Sequence, residues 1–189
     1  GIAFYRAVGG MMAAPDTGPG AAFGDAFFQV AKAESIAHDA LRGTALQTRF
    51  PMFQFPAGTR AAWDPIGGWI DPRAFRRAEE VIAQRAGARV TRDTVIGRDG
   101  RVLTLGSGNK LTARHVVIAT GSYAAIDGLC PAPPPMAVYA RTVAFVHVTE
   151  DVALGLRAMP TLIFVPEGRT HDLYLLPPIF MRQEPSGYW

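Results

Sequence analysis

The sequence holds one cysteine, Cys130, in 189 residues. No internal disulfide framework can hold it together, and such sparse thiol usage fits a reducing compartment. No apolar run approaches the roughly 20 residues of a membrane-spanning helix, and the start shows no charged-then-apolar leader. There is no set of His, Cys, Asp and Glu at metal-ligand spacing, and no Gly-x-Ser-x-Gly hydrolase elbow. Basic charge is weak as well. The formal +3 comes mostly from arginines that are scattered rather than clustered, which argues against nucleic acid as a partner. What remains is a globular composition, 49% apolar and 19% charged, long enough to bury a core in one large or two small domains. A soluble, cytoplasmic protein is expected.

The stretch that organises the rest runs from Lys110 to Gly121. Leu111 and Ala113 alternate with Thr112 and Arg114, and then Val116-Val117-Ile118-Ala119 runs apolar up to Thr120-Gly121. An unbroken, β-branched run is the pattern of a strand covered on both faces, as in a parallel sheet flanked by helices. The spacing therefore predicts a buried strand over Leu111–Ala119. A small pair at its end lets backbone approach a ligand, and open α/β sheets bind ligands at the carboxyl ends of their strands. A plain core strand ending in a glycine turn would read the same way.

Upstream, Ile2 to Ala14 reads as a strand with a bulge at Gly9-Gly10. Gly18-x-Gly20-x-x-x-Gly24 matches part of a dinucleotide-binding fingerprint. That fingerprint needs a buried strand running into its first glycine, and here Pro15-Asp16-Thr17 intervenes and no apolar second strand follows. Asp25 to His38 is expected to be a helix capped by Asp25, with Phe27, Val30 and Ala31 on one face. Thr44 to Arg49 is a short helical turn, and Met52 to Ile70 is an aromatic, glycine-rich loop leading to a short strand.

The clearest helix starts at Asp71-Pro72, an N-cap followed by proline at the first helical position, and stops at Gly87. Phe75, Ala78 and Ile82 form its expected buried stripe. A strand is expected at Ala88 to Thr91. Turns at Gly97-Arg98-Asp99-Gly100 and Gly106-Ser107-Gly108-Asn109 then bracket Arg101 to Leu105 in an antiparallel meander. Beyond Gly121, Leu129 to Pro135 is a stiff proline connector. Val138 to Val148, Thr161 to Val165 and Asp172 to Leu176 are expected strands of one antiparallel sheet, with His147 a half-exposed sheet residue.

This order resembles the FAD-dependent oxidoreductases of the D-amino acid oxidase family, in particular its glycine and sarcosine oxidase branch. Carrying the resemblance are Arg49-Phe50-Pro51, Gly67 to Pro72, Gly87-Ala88-Arg89-Val90, Val116 to Tyr123, Arg141 to Phe145, and Tyr174-Leu175-Leu176-Pro177. It implies a fold of α/β plus α+β class: a partial, Rossmann-like FAD-binding domain interleaved with an antiparallel-sheet substrate domain. Residues 1–70 and 137–189 would belong to the substrate domain and 71–125 to the FAD domain, with 126–136 connecting them.

The resemblance also implies FAD as cofactor and a small amine or amino acid as substrate, oxidised at its C–N bond to an imine. Val95, or a neighbour, matches the position whose backbone meets the adenine. Ala119, Thr120 and Gly121 match the strand end near the cofactor's phosphate and ribose. Tyr174 matches a tyrosine facing the substrate carboxylate, although a plain rim or core tyrosine is equally compatible. Arg141 to Phe145 matches the first strand of the substrate domain's second segment. The family's glycine-rich turn and ribose-binding acid would precede Gly1, so this stretch by itself is expected to hold FAD weakly and to be inactive. Cys130 lies in the proline connector, a poor place for a covalent flavin anchor. A 2-hydroxy-acid dehydrogenase of the same fold, and a non-catalytic α+β binding domain, are the alternatives.

Overall fold

The computed structural model describes residues 1–125, 129–168, 172–182 and 185–189. The chain divides into two compact units, Gly1–Glu79 with Phe145–Trp189, and Glu80–Ala144.

The first unit opens with β1 (Tyr5–Ala7) and β2 (Gly10–Pro15). The single strand read from Ile2 to Ala14 is therefore two. Gly9, at φ +85, makes the break, a conformation that a residue with a Cβ rarely adopts. Helix α1 (Ala21–Ala33) follows, then β3 (Asp39–Arg42), α2 (Gly43–Arg49), β4 (Thr59–Asp64), β5 (Gly68–Ile70) and α3 (Pro72–Arg85), whose residues from Glu80 on belong to the second unit. Helix α1 starts four residues before Asp25 and is capped by Gly20 without a side-chain bond, so Asp25 is not its cap. The buried positions of α1 are Gly24 and Ala31, seven apart and on one face, whereas Val30 is exposed.

The α3 start is as expected. Asp71 Oδ1 accepts from the Arg73 and Ala74 amides at 2.9 and 3.0 Å, satisfying two donors that a helix start leaves open. Gly87 ends the helix at φ +95. The stripe differs from the expected one: Ala74 and Ala78 are buried, Ile82 is exposed, and Phe75 is only partly covered by Phe4, with ring centroids 5.0 Å apart.

In the second unit, β6 (Val95–Asp99), β7 (Val102–Leu105) and β8 (Lys110–Thr112) form the expected antiparallel meander. Its turns carry Gly100 and Gly108 at positive φ. Two expected strands are not formed. Ala88 to Thr91 has no strand structure and is exposed. The strand read over Leu111–Ala119 ends at Thr112, and Val117 is 88% exposed. The reason is pairing: β7 accompanies β8 for three residues, and among the described residues no strand partners 113–120. An apolar run alone does not satisfy backbone N–H and C=O groups. A short 3-10 turn, Gly121–Ala125, follows. The connector read over 126–136 begins in residues 126–128, outside the described set, and 129–144 carries no regular structure.

The chain then returns to the first unit through α4 (Glu150–Gly155), β9 (Thr161–Phe164), β10 (Leu173–Leu175), β11 (Phe180–Met181) and β12 (Gly187–Tyr188). The expected strand over Val138–Val148 is absent apart from a single bridge between Val148 and Tyr188, so Arg141 to Phe145 is not a strand. His147 is exposed and stacks edge-on against Trp189 at 4.9 Å.

The unit's main sheet runs β10-β9-β2-β4-β3 and joins segments from both ends of the chain. Its pairs are antiparallel except β2 with β9, so the sheet is mixed. Thr161 secures the long-range join: its amide and its hydroxyl both donate to the Gly9 carbonyl, at 3.0 and 3.2 Å. Met11, Ala13, Leu46, Phe50, Phe53, Ala61, Met159 and Leu162 make the core of this unit.

The glycine loop has a packing explanation. A Cβ on Gly20 would meet Val165 and the Pro15 ring, and one on Gly24 would lie 3.0 Å from the Arg60 guanidinium and 3.2 Å from Ala14. These glycines let α1 lie close to β2 and β4.

Candidate functional site

The meander of the second unit and the extended run behind it enclose an open cleft of about 520 Å³. One side comes from Asp93, Thr94 and Val95 at the entry to β6, with Arg98 and Leu103 further along. The other comes from Val116 to Thr120, with Tyr123 and Leu129. Residues 116–119 thus keep a part in the site although they form no strand. Their apolar side chains line one wall of the cleft.

Two hydrogen-bonded groups shape the polar edge. Asp93 accepts from the Ser107 hydroxyl at 2.5 Å and from the Thr94 amide at 2.7 Å. Thr94 in turn accepts the Gly106 amide at 2.7 Å, and Asn109 Nδ2 donates to Ser107 Oγ at 3.2 Å. The Ser107 hydroxyl, with the Thr94 amide second, holds the Asp93 carboxyl below its ordinary value, because both donate to the charged form. Arg98 donates from Nε to the Gly100 carbonyl at 2.9 Å and from Nη1 to the Leu129 carbonyl at 3.2 Å. The register of β6 on β7 shifts between Val95 and Gly97, a bulge that re-aims the strand beside the cleft.

Of the residues singled out in the sequence, Val95, Ala119 and Thr120 line this one cleft, and Gly121 follows it at φ +60. Tyr174 lies in the other unit, on β10 opposite Ile163, and is 62% exposed. That exposure excludes a core role for it within the described structure. Sequence reasoning missed Asp93, Thr94, Arg98 and Tyr123. Arg98 had a signal only as part of a turn sequence, and its reach to Leu129 is not legible in local pattern.

The family described as DAO, FAD dependent oxidoreductase, matches residues 1–184. The chain belongs to this family of FAD-dependent oxidoreductases. Among solved structures it is similar to the open form of NikD, an unusual amino acid oxidase essential for nikkomycin biosynthesis. The identity is 27% and the TM-score 0.48, over 64% of this chain and 32% of that one. The matched part thus spans about a third of the neighbour's length. No curated protein matches.

The FAD named in the family's description carries a flat, largely apolar adenine with a polar sugar and phosphates. The size and lining of the cleft are those that an adenosine group would need. Its volume lies within the few hundred to about 1,000 Å³ of small-ligand sites. Val95, Leu103, Val116 and Ile118 supply apolar walls, and Thr94, Arg98 and Thr120 supply polar groups. Among the described residues no His, Cys, Asp and Glu cluster could hold a metal ion, and no helix is long and apolar enough to cross a membrane.

Proposed function

We propose that the protein oxidises the C–N bond of a small amino acid or secondary amine to an imine, with FAD as electron acceptor. The observation that carries this reading is the family match over residues 1–184, together with one cleft that gathers Val95, Ala119 and Thr120. In this reading the second unit, which holds residues 80–125 of the 71–125 segment, binds the cofactor. The first unit, built around the five-stranded sheet, binds the substrate.

Within the cleft, the β6 edge at Val95 meets the adenine through its backbone, and Leu103, Val116 and Ile118 exclude water from its faces. Ala119, Thr120 and Gly121 lie beside the ribose and phosphate, where small side chains allow close approach. When bound, FAD supplies the two-electron acceptor for the C–H bond next to the substrate nitrogen. The protein's task is orientation. Tyr174 donates its phenol to the substrate carboxylate and so aims that C–H bond, a gain in positioning rather than in chemistry. The amine reacts in its neutral form, since an ammonium releases hydride poorly.

The test is anaerobic reduction of the flavin-loaded protein by glycine, sarcosine and D-amino acids, read as bleaching of visible flavin absorbance. Bleaching by one of these, with KM raised in Tyr174→Phe, supports the reading. Bleaching by 2-hydroxy acids alone replaces it with a dehydrogenase of C–OH bonds, and bleaching by neither class overturns catalysis on small substrates.

A further inference from the structure

The FAD reading of the cleft leaves one strongly charged side chain there without an assignment. Among the lining residues, Asp93 is the only carboxylate and Arg98 the only guanidinium. They are not partners. Asp93 uses its oxygens on Ser107 and Thr94, and Arg98 uses Nε and Nη1 on two backbone carbonyls, those of Gly100 and Leu129. Carbonyls orient a guanidinium but do not neutralise it, so Arg98 keeps its charge beside Val95, Leu103, Val116 and Ile118.

Resting on the reading of this cleft as the FAD site, we infer that Arg98 is a further cofactor-binding residue whose guanidinium forms a flat cationic platform for the adenine ring. A guanidinium offers either its N–H edges or its faces. The N–H bonds lie in its plane, and here two edges are already held, by a residue two positions on and by another 31 positions on. The side-on fork that grips phosphate needs Nε, which Gly100 occupies, and the end-on fork would have to share Nη1 with the Leu129 carbonyl. A phosphate would also lose its hydration against Val95, Leu103, Val116 and Ile118. A purine has no such cost: it is flat, electron-rich and apolar on its faces, and guanidinium stacks on such rings. The two carbonyl bonds keep the plane fixed, so little side-chain freedom is lost when the ring arrives.

The test compares FAD with FMN, which lacks the adenosine monophosphate half, by equilibrium binding to the apoprotein at low and high salt. Arg98→Lys keeps the charge but removes the planar face. It should weaken FAD binding about tenfold, leave FMN binding unchanged, and show the same loss at both salt concentrations. Unchanged FAD affinity in Arg98→Lys overturns the proposal. So does a loss that appears only at low salt, which would assign the contact to a phosphate, or an equal loss for both ligands, which would assign Arg98 to folding. Failure of the unsubstituted protein to bind FAD at all would instead overturn the cofactor reading on which the proposal rests.

Discussion

The Ser107 hydroxyl donates to the Asp93 carboxylate at 2.5 Å, joining the entry of β6 to the β7–β8 turn across 14 residues. This bond fixes the edge of the cleft at which Val95 stands. Because Asp93 titrates below its ordinary value, its carboxylate favours the folded meander at pH above the unfolded value. That contribution is lost as pH falls through the lower, folded value. Ser107→Ala removes the hydroxyl that does most to lower it, so the Asp93 titration should move up toward the ordinary carboxylate range. Carboxyl carbon NMR across an acid titration reads this directly, and an unmoved Asp93 would show that the hydroxyl does not hold it.

Arg60 is held beneath α1 with its side chain 11% exposed, paired with Asp25 at 2.5 Å and with Asp16 at 3.6 Å. Its Nη2 also donates to the Ala21 carbonyl at 2.8 Å. Asp25 is 56% exposed, so water screens its pair, and without it Arg60 still keeps Asp16 and the Ala21 carbonyl. Asp25→Ala should therefore cost about 1 kcal/mol after solvent screening. Arg60→Ala should cost about 2–3 kcal/mol through lost charged hydrogen bonds and packing. Urea unfolding gives the order, and a larger loss for Asp25→Ala would contradict it.

Gly24 should not accept a branched side chain. A Cβ there would lie 3.0 Å from Arg60 Nε and 3.2 Å from Ala14, so the larger side chain of Gly24→Val must displace the buried Arg60 or shift α1 against the sheet. A destabilisation of about 1–3 kcal/mol is expected, with flavin affinity of the folded fraction unchanged. A specific loss of flavin binding would instead return this loop to a phosphate-binding role.

Asp71→Ala removes the acceptor of two amides at the start of α3. It should cost about 1 kcal/mol, whereas Asp71→Asn or Asp71→Ser should restore most of that. Equal loss in all three variants would mean that the bonds add nothing to stability.

The features legible in the sequence were the ones decided locally. The Asp71 cap, the Gly87 stop and the two glycine turns of the meander each depend on residues within a few positions. The run Val116–Ala119 failed as a strand because a strand is defined by its neighbours, and the run itself carries no information about them. The mixed sheet was hidden for a related reason: pairing β2 with β9 depends on Thr161 finding the Gly9 carbonyl 152 residues away. Val95, Ala119 and Thr120, which line one cleft, were singled out through resemblance. Arg98 was read only as a turn residue, because its reach to Leu129 cannot be inferred from a turn sequence.

The central claim is that the second unit's cleft holds the adenosine end of FAD. Photolabelling with an FAD that carries an azide on its adenine, followed by mass spectrometry of the digested protein, tests it most directly. Labels confined to residues 93–105 and 116–123 are the expected result. Labels confined to residues of the first unit would contradict it.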